Sequence, residues 1–331
     1  MADDEEPVNK RMKKSPVENT PLDGLPTEIL LKIFGSFEML DLLRCGQVSK
    51  RIRSIANYKT LWEKVNLKYR YKVSAALIRL ILENGCKHLI IGDLHVEGDL
   101  MPVQNFRLKH LVVGRIKPVK TLEVILASCN SLEKLSLRYV SISNKMILGI
   151  NQNGKTLKKL NLEECYEPID SKNLTEFIQS LIDNCIVLEE LNLKSFHCTE
   201  VSIDYLVNHL TRNILKLSLF SAKIEDRQLK TLVTRCNKLK ELNLRCTNIS
   251  NLNPILTHLH STLEKLGLGS NWIDLAKLSE LKSMKRLKIL DLSGCYEGNI
   301  DVVKKDLPNI KIVQRDWYFI AEGYRQPYFL Q

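Results

Sequence analysis

The sequence predicts an α/β chain in which a short helical segment precedes a long solenoid with a parallel concave sheet and outer helices. Three observations support this prediction. A leucine phrase recurs in phase through most of the chain, each copy is followed by a stretch with helical spacing, and a differently patterned segment precedes the first copy. Each repeat would add one strand and one helix to a shared core.

The recurring phrase is Leu-x-x-Leu-x-Leu. Clear copies end at Leu137, Leu162, Leu193, Leu244, Leu268 and Leu292. Looser copies end at Ile91, Val113 and Leu219, with a degenerate tenth copy at Val313. The middle apolar position falls at residues 89, 111, 135, 160, 191, 217, 242, 266, 290 and 313. Most intervals fit the period of about 20–29 residues that is typical of leucine-rich repeats.

The phrase has a physical reading as a strand. Because successive side chains of a strand point to opposite faces, the last two leucines point into the core and their neighbours point outward. The stretch SKNLTEFIQSLIDNC follows one copy, and its apolar residues fall on one helical face: Leu174, Ile178, Leu181 and Ile182. A strand followed by a helix and a parallel strand builds a solenoid.

Composition narrows the function classes. The 331 residues carry a formal net charge of +11, which permits an acidic partner but also fits a mixed solvated surface. There is no apolar run of about 20 residues and no secretory h-region, so the nine cysteines are expected to be reduced intracellular thiols. We predict no catalytic, cofactor or metal site, because CxxC, GxSxG, P-loop and HExxH patterns are missing. There is no long basic run and no RRM, KH or zinc motif, which argues against a nucleic-acid partner.

Residues 21–67 are patterned differently. Pro26 suits the first turn of a helix, an apolar stripe follows from Ile29 to Phe34, and Ser49 can cap a later helix. About three short helices bury little on their own. Patterning alone leaves two interpretations open: a surface that docks on a partner, or a helical cap for the solenoid.

The same segment resembles an F-box. It has LPxE, an Ile-Leu pair, Ile-Phe, a Leu-Leu pair, Val-Ser-Lys-Arg and Leu-Trp in that order. Ile52 stands where such families usually place Trp, and we expect weaker packing there rather than lost function. With the repeats, the chain resembles the F-box/leucine-rich-repeat family, and within it the S-phase-kinase-associated F-box proteins. The resemblance implies a ribonuclease-inhibitor-like horseshoe.

The expected organisation has four parts. Residues 1–20 form a disordered tail, 21–67 the F-box, 68–313 about nine to ten repeats, and 314–331 an aromatic terminus. The terminus would either cap the last repeat or line the concave face. A basic cluster within residues 10–14 is either a nuclear-import signal or part of a solvated tail.

The resemblance implies a non-catalytic substrate-recognition subunit of an SCF-type ubiquitin ligase, acting in the nucleus, the cytoplasm or both. The F-box would bind the adaptor, S-phase kinase-associated protein 1, and through it the cullin. The repeats would hold a substrate for ubiquitination and proteasomal degradation, so the gain is proximity. By motif position the adaptor-binding residues are Leu25, Pro26, Ile29, Leu30, Ile33, Leu42, Leu43, Val48 and Trp62. The alternative is a repeat scaffold or inhibitor outside any ligase.

The substrate is expected on the concave face. Its outward positions from Lys134 to Ser293 hold seven basic and four acidic residues. The candidate substrate-binding residues are Lys134, Arg138, Lys159, Lys194, Lys216, Phe220, Arg245 and Lys265. This set fits an acidic or phosphorylated degron. An ordinary solvated polar sheet fits it equally well.

Overall fold

The computed structural model describes residues 22–102, 106–166, 171–295 and 300–314. It divides into two compact units, the first ending at Leu61 and the second beginning at Trp62. The basic cluster near the N-terminus and the aromatic residues from 315 onward lie outside the described residues, so the predictions made for both tails stay predictions.

The first unit is helical, as the sequence predicts. It contains a 3-10 helix at Leu22–Gly24 and the helices α1 Thr27–Phe34, α2 Met39–Cys45, α3 Lys50–Ala56 and α4 Lys59–Trp62, the last of which ends at the boundary. Its small core holds Leu30, Phe34, Leu42, Ile52 and Ile55, each at most 3% exposed. Isoleucine at position 52 therefore fills a buried place in this core.

Local hydrogen bonds fix where these helices begin. The Ser49 hydroxyl accepts the Ile52 N–H at 3.1 Å, which confirms the predicted cap of α3. Pro26 is the residue before α1 rather than part of its first turn. Arg51 donates from Nη2 to the carbonyl of Leu25 at 2.5 Å, which holds the start of α3 beside the start of α1.

The second unit is the solenoid. Within the described residues, eleven parallel strands form its main sheet: β1 Lys64–Leu67, β3 His88–Ile91, β5 His110–Val113, β7 Lys134–Leu137, β8 Lys159–Asn161, β9 Glu190–Asn192, β10 Lys216–Ser218, β11 Glu241–Asn243, β12 Lys265–Gly267, β13 Ile289–Asp291 and β14 Lys311–Val313. They lie side by side in that order. A second, three-stranded parallel sheet contains β2 Lys72–Ser74, β4 Leu94–Glu97 and β6 Ile116–Lys117.

Helical segments follow most strands of the main sheet, but the prediction of one after every copy is wrong for β3, because no described residue between β3 and β5 is helical. They are α5 Ala75–Glu83, α6 Val119–Ala127, α7 Asn144–Gln152, α8 Ser171–Asn184, α9 Glu200–His209, α10 Asp226–Arg235, α11 Asn253–Leu259, a 3-10 helix at Leu275–Ser283 and α12 Ile300–Asp306. In α8 the predicted face is buried at Ile178, Leu181 and Ile182. None of the helices in the described part of the chain has the length and apolar character needed to cross a membrane.

The middle apolar positions of the phrase pair with one another across the sheet. From Leu89 to Leu290 they lie in register on successive strands and are at most 2% exposed. The predicted middle position at residue 313 is wrong, because Leu290 pairs with Ile312 and Val313 pairs with Asp291. The degenerate phrase at the last strand had no second leucine to fix its phase.

An additional strand precedes the first predicted copy. Val65 of β1 pairs with Leu89, so the sheet reaches back into the segment that resembles the F-box. The phrase there is WEKVNL, in which Trp62 and Val65 stand where the other copies carry leucines.

Most of the cysteines are small buried side chains. Five of the nine are buried, and among these Cys129, Cys185 and Cys236 are at most 1% exposed. Burial raises the pKa of the Cys129 and Cys185 thiols to about 12, so they stay protonated and unreactive.

Candidate functional sites: the helical docking surface and the concave face

The predicted adaptor-binding residues separate into a buried set and an accessible set. Leu30, Leu42 and Trp62 are only 0–3% exposed. Leu30 and Leu42 fill the core of the first unit, whereas Trp62 belongs to the second unit. Because their side chains are covered, these three support the fold, and a direct adaptor contact is not available to them.

The accessible set is small and apolar. Ile29 is 42% and Val48 is 75% exposed, Pro26 is also exposed, and Leu25, Ile33 and Leu43 are partly covered. The Arg51 bond to Leu25 holds the starts of α1 and α3 together, which places Pro26 and Val48 at the same end of the unit.

Leu22, 49% exposed in the 3-10 helix, also presents an apolar side chain. Sequence reasoning missed this residue because it precedes the LPxE signature. Its position three residues before Leu25 was the available signal.

On the concave face, the middle of the sheet carries what we call the ion-pair ladder. It consists of five residues that alternate in charge on adjacent strands: Lys159, Glu190, Lys216, Glu241 and Lys265. Glu190 pairs with Lys159 and lies 3.6 Å from the Lys216 ammonium, and Glu241 is 3.2 Å from both Lys216 and Lys265. Each carboxylate is thereby shared between two lysines.

Because their carboxylates are buried, breaking one of these ion pairs should cost more free energy than breaking a solvent-exposed pair. Glu190 and Glu241 are 8% and 7% exposed. Desolvation lowers the pKa of Lys216, but the charges of Glu241 and Glu190 outweigh it and raise the pKa above its usual value. Three of the predicted substrate-binding lysines are thus engaged within the protein.

Other predicted residues of the concave face are also engaged. Arg138 and Lys194 both pair with Glu163, at 3.3 and 2.6 Å, and Arg245 pairs with Asp291 at 3.1 Å. Phe220 is 8% exposed, and its ring lies between the Lys194 ammonium at 5.6 Å and the Arg245 guanidinium at 5.4 Å. So well covered a ring offers little area for anchoring a substrate.

The second outward row in this section consists largely of asparagines with a structural role. Asn161, Asn192 and Asn243 each accept, through the side-chain oxygen, the backbone N–H two residues later, at 2.9–3.2 Å. These Asx turns end the strands. The amide groups therefore hold turns in place rather than presenting themselves to a ligand.

Lys134 differs from the other predicted residues. It is exposed and makes no ion pair with any residue that the structure describes. It belongs to what we call the N-terminal concave patch, the outward positions of β1, β3, β5 and β7: Lys64, Asn66, His88, Ile90, His110, Val112, Lys134 and Ser136. None of these eight residues is acidic.

Sequence reasoning missed most of the patch. His88 and His110 stand directly before the middle apolar positions of the two loosest copies, the place that Lys134 occupies in a clear copy. The same offset applied to those copies would have found both histidines. Lys64 required recognition of the degenerate first strand.

In the described part of the chain, no group of three or more His, Cys, Asp or Glu side chains is arranged to hold a metal ion. The described residues offer exposed apolar side chains on the first unit and charged side chains on the second.

Two family models match the chain. The one described as SKP2 LRR domain covers residues 75–325, and the one described as F-box-like covers residues 22–68.

The solved structures that match this chain include the following two. One is a chain of the Rad7 and Elc1 complex in yeast, with 18% identity, a TM-score of 0.55 and 88% of each chain covered. The other is an internalin, InlF, from Listeria monocytogenes, with 13% identity, a TM-score of 0.39, 81% of this chain covered and 87% of that one. The first likeness shows the fold, and the second is too distant to support an argument.

Proposed function

This chain belongs to the family of F-box proteins with SKP2-type leucine-rich repeats, and we propose that it serves as a substrate-recognition subunit of an SCF-type ubiquitin ligase. In this proposal the first unit docks on the S-phase kinase-associated adaptor and through it joins the cullin. The repeats hold a protein substrate while a separate enzyme transfers ubiquitin. The chain itself makes no bond and contributes proximity.

The observation that supports adaptor docking most strongly is the accessible apolar set on so small a unit. Pro26, Ile29 and Val48 expose apolar side chains at positions that match the F-box motif, although buried positions in the same unit are filled. Exposed apolar groups that cluster at one end of a domain mark interaction surfaces. A plain cap for the solenoid would have no need of them.

The test is co-purification with the adaptor. Ile29→Asp together with Val48→Asp places two charges on the docking surface while the core stays intact. We expect adaptor affinity to fall at least about thirtyfold, because buried apolar anchors at an interface each contribute about 2 kcal/mol or more. Adaptor binding can be measured by calorimetry on the full chain.

A matched control carries the same chemistry elsewhere. Leu148 and Val201 are 69% and 61% exposed on the outer helices α7 and α9, so Leu148→Asp with Val201→Asp should leave adaptor binding unchanged. Equal affinities of the intact chain and the Ile29/Val48 variant would overturn the proposal and leave the first unit as a cap.

The structure also dictates which variants to avoid. Deletion of residues 21–67 would remove β1, which pairs with β3, so a truncation should end at Leu61. Leu30→Ala removes a fully buried core side chain and would unfold the unit, so lost binding could not be attributed to lost contact.

A further inference from the structure

The N-terminal concave patch carries positive charge that the protein leaves uncompensated. Lys64, His88, His110 and Lys134 occupy the same register on four adjacent strands. Within the described residues, neither Lys64 nor Lys134 makes an ion pair, whereas the lysines of the ion-pair ladder each have a carboxylate partner. With strands about 4.8 Å apart, the two lysines stand about 14 Å from each other.

Between the lysines, the two histidines are coupled. Their Nδ1 atoms are 2.7 Å apart and their rings meet edge to face, with centroids 4.3 Å apart. One ring must donate this hydrogen bond and the other accept it, so the observed contact requires an unprotonated nitrogen. The charged groups that face the pair from neighbouring strands and their edges are Lys64, Glu63, Lys87, Lys109, Lys134 and Glu133.

Behind the charged row lies an apolar strip. Ile90 and Val112 are paired across β3 and β5, and each is 37% exposed. These side chains form an accessible apolar floor beside four basic or titratable groups.

From this juxtaposition we infer that the N-terminal concave patch binds an acidic, extended segment of a protein partner, and that the His88–His110 pair tightens this contact as the pH falls. The inference rests on the proposed function, in which that partner is the substrate. Carboxylates of the segment pair with Lys64 and Lys134, and an apolar side chain between them covers Ile90 and Val112. About four to five extended residues span the distance.

Charge complementarity and the apolar floor select a peptide over a nucleic acid. A nucleic acid is held by a long track of cations along its phosphates, and here the positive row gives way to alternating charge at Glu190. Ile90 and Val112 match an aliphatic side chain and offer no stacking platform for a base.

The pH dependence follows from the environment of the histidines. Burial lowers the pKa of His88, and Lys64 lowers it further, while burial and then His88 lower the pKa of His110. Both rings are therefore neutral in the free protein at neutral pH. A bound carboxylate favours the charged ring, so binding takes up a proton and strengthens below about pH 7.

The experiment uses the full chain and a fluorescein-labelled peptide, Glu-Glu-Asp-Leu-Asp-Glu-Glu, followed by anisotropy. Lys64→Gln with Lys134→Gln should weaken binding about tenfold, as expected for two exposed ion pairs. Lys145→Gln with Lys230→Gln removes the same net charge from the outer helices α7 and α10 and should change nothing. The amide peptide Gln-Gln-Asn-Leu-Asn-Gln-Gln should not bind.

The histidine contribution is measured with the same peptide. The intact chain should bind about three- to tenfold more tightly near pH 6 than near pH 8, because a shift of one pKa unit corresponds to tenfold in affinity. His88→Gln with His110→Gln should keep the affinity found near pH 8 and lose the gain near pH 6. The peptide carboxylates stay ionised throughout this range.

Several results would overturn the inference. They are no binding of the acidic peptide, equal binding by the Lys64/Lys134 variant, tighter binding of a labelled oligothymidylate, and an unchanged pH profile in the histidine variant.

The chain also has an acidic run at residues 3–6. If the chain binds the peptide more tightly after the acids at residues 3–6 are replaced by amides, then this segment of the chain, and not a partner, occupies the patch. Adaptor binding is measured separately on each variant, so failure of the ligase proposal is distinguishable from failure here.

Discussion

The N-terminal concave patch and the ion-pair ladder belong to one sheet and share one leucine register, but they treat charge in opposite ways. In the ladder, Glu190 and Glu241 are each shared by two lysines. The row is therefore nearly neutral, and each of its lysines has a carboxylate partner within the row. In the patch, Lys64 and Lys134 flank two histidines on strands without an outward acid. The repeat therefore specifies the scaffold, and the variable outward positions decide which part can bind a charged partner.

The largest effect should come from the feature that both sections share. Leu89→Ala in β3 and Leu242→Ala in β11 each remove a fully buried side chain. Each should lower the free energy of unfolding by about 2–5 kcal/mol, through lost burial and the cavity left behind.

Urea unfolding followed by circular dichroism measures both variants, with Leu148→Ala on the exposed face of α7 as the control. A loss below about 1 kcal/mol in only one of the two would show that the sections differ in packing as well as in charge.

A smaller effect is expected when one ladder carboxylate is neutralised. Glu241→Gln leaves both Lys216 and Lys265 without their shared partner, and we expect a cost of about 1–2 kcal/mol because the carboxylate is buried. Glu133→Gln breaks the more exposed pair with Lys109 and should cost less than about 1 kcal/mol. Equal losses in urea unfolding would contradict the larger cost that we assign to breaking a buried ion pair than an exposed one.

The comparison can also be inverted. Glu190→Gln with Glu241→Gln turns the ladder into a row of three lysines without acids, which resembles the patch. The acidic peptide should then bind this variant about three- to tenfold more tightly than the intact chain, which is the gain expected from one or two exposed ion pairs. No gain would mean that positive charge alone does not make a binding surface here, and that the Ile90–Val112 floor is essential.

The smallest effect concerns stability against pH. Because the folded-state pKa values of His88 and His110 are lowered, the unfolded chain binds more protons than the folded chain as the pH falls through their range. Stability linked to the pair is therefore complete above the unfolded pKa of about 6.5 and is lost below it. In thermal melts, His88→Gln with His110→Gln should flatten this decline. A decline of equal slope in both proteins would assign it to the carboxylates.

Much of the scaffold could be predicted from the sequence, because leucine spacing is a direct consequence of strand geometry. The phrases from Leu89 to Leu290 fall in register as predicted. The phrase did not predict the first strand of the sheet or the register of the last one, because Val65 and Ile312 replace leucine there. Terminal repeats are often atypical.

The site could be predicted less well, since pairing is a property of three dimensions. The outward direction of Lys159, Lys216 and Lys265 followed from alternation, but the sharing of Glu190 and Glu241 between strands depends on register and side-chain reach. The burial of Leu30 and Leu42 could not be separated from partner contact by motif position alone. That separation decides which variants test docking and which only unfold the unit.

The most direct test of the account is whether one chain holds adaptor and acidic segment together through separate surfaces. The labelled peptide is titrated into the full chain, alone and with saturating adaptor, and complex mass is followed by light scattering. The account predicts unchanged peptide affinity and a three-component complex, with Ile29→Asp/Val48→Asp losing only the adaptor and Lys64→Gln/Lys134→Gln losing only the peptide. Competition between the two ligands, or loss of both in either variant, would contradict it.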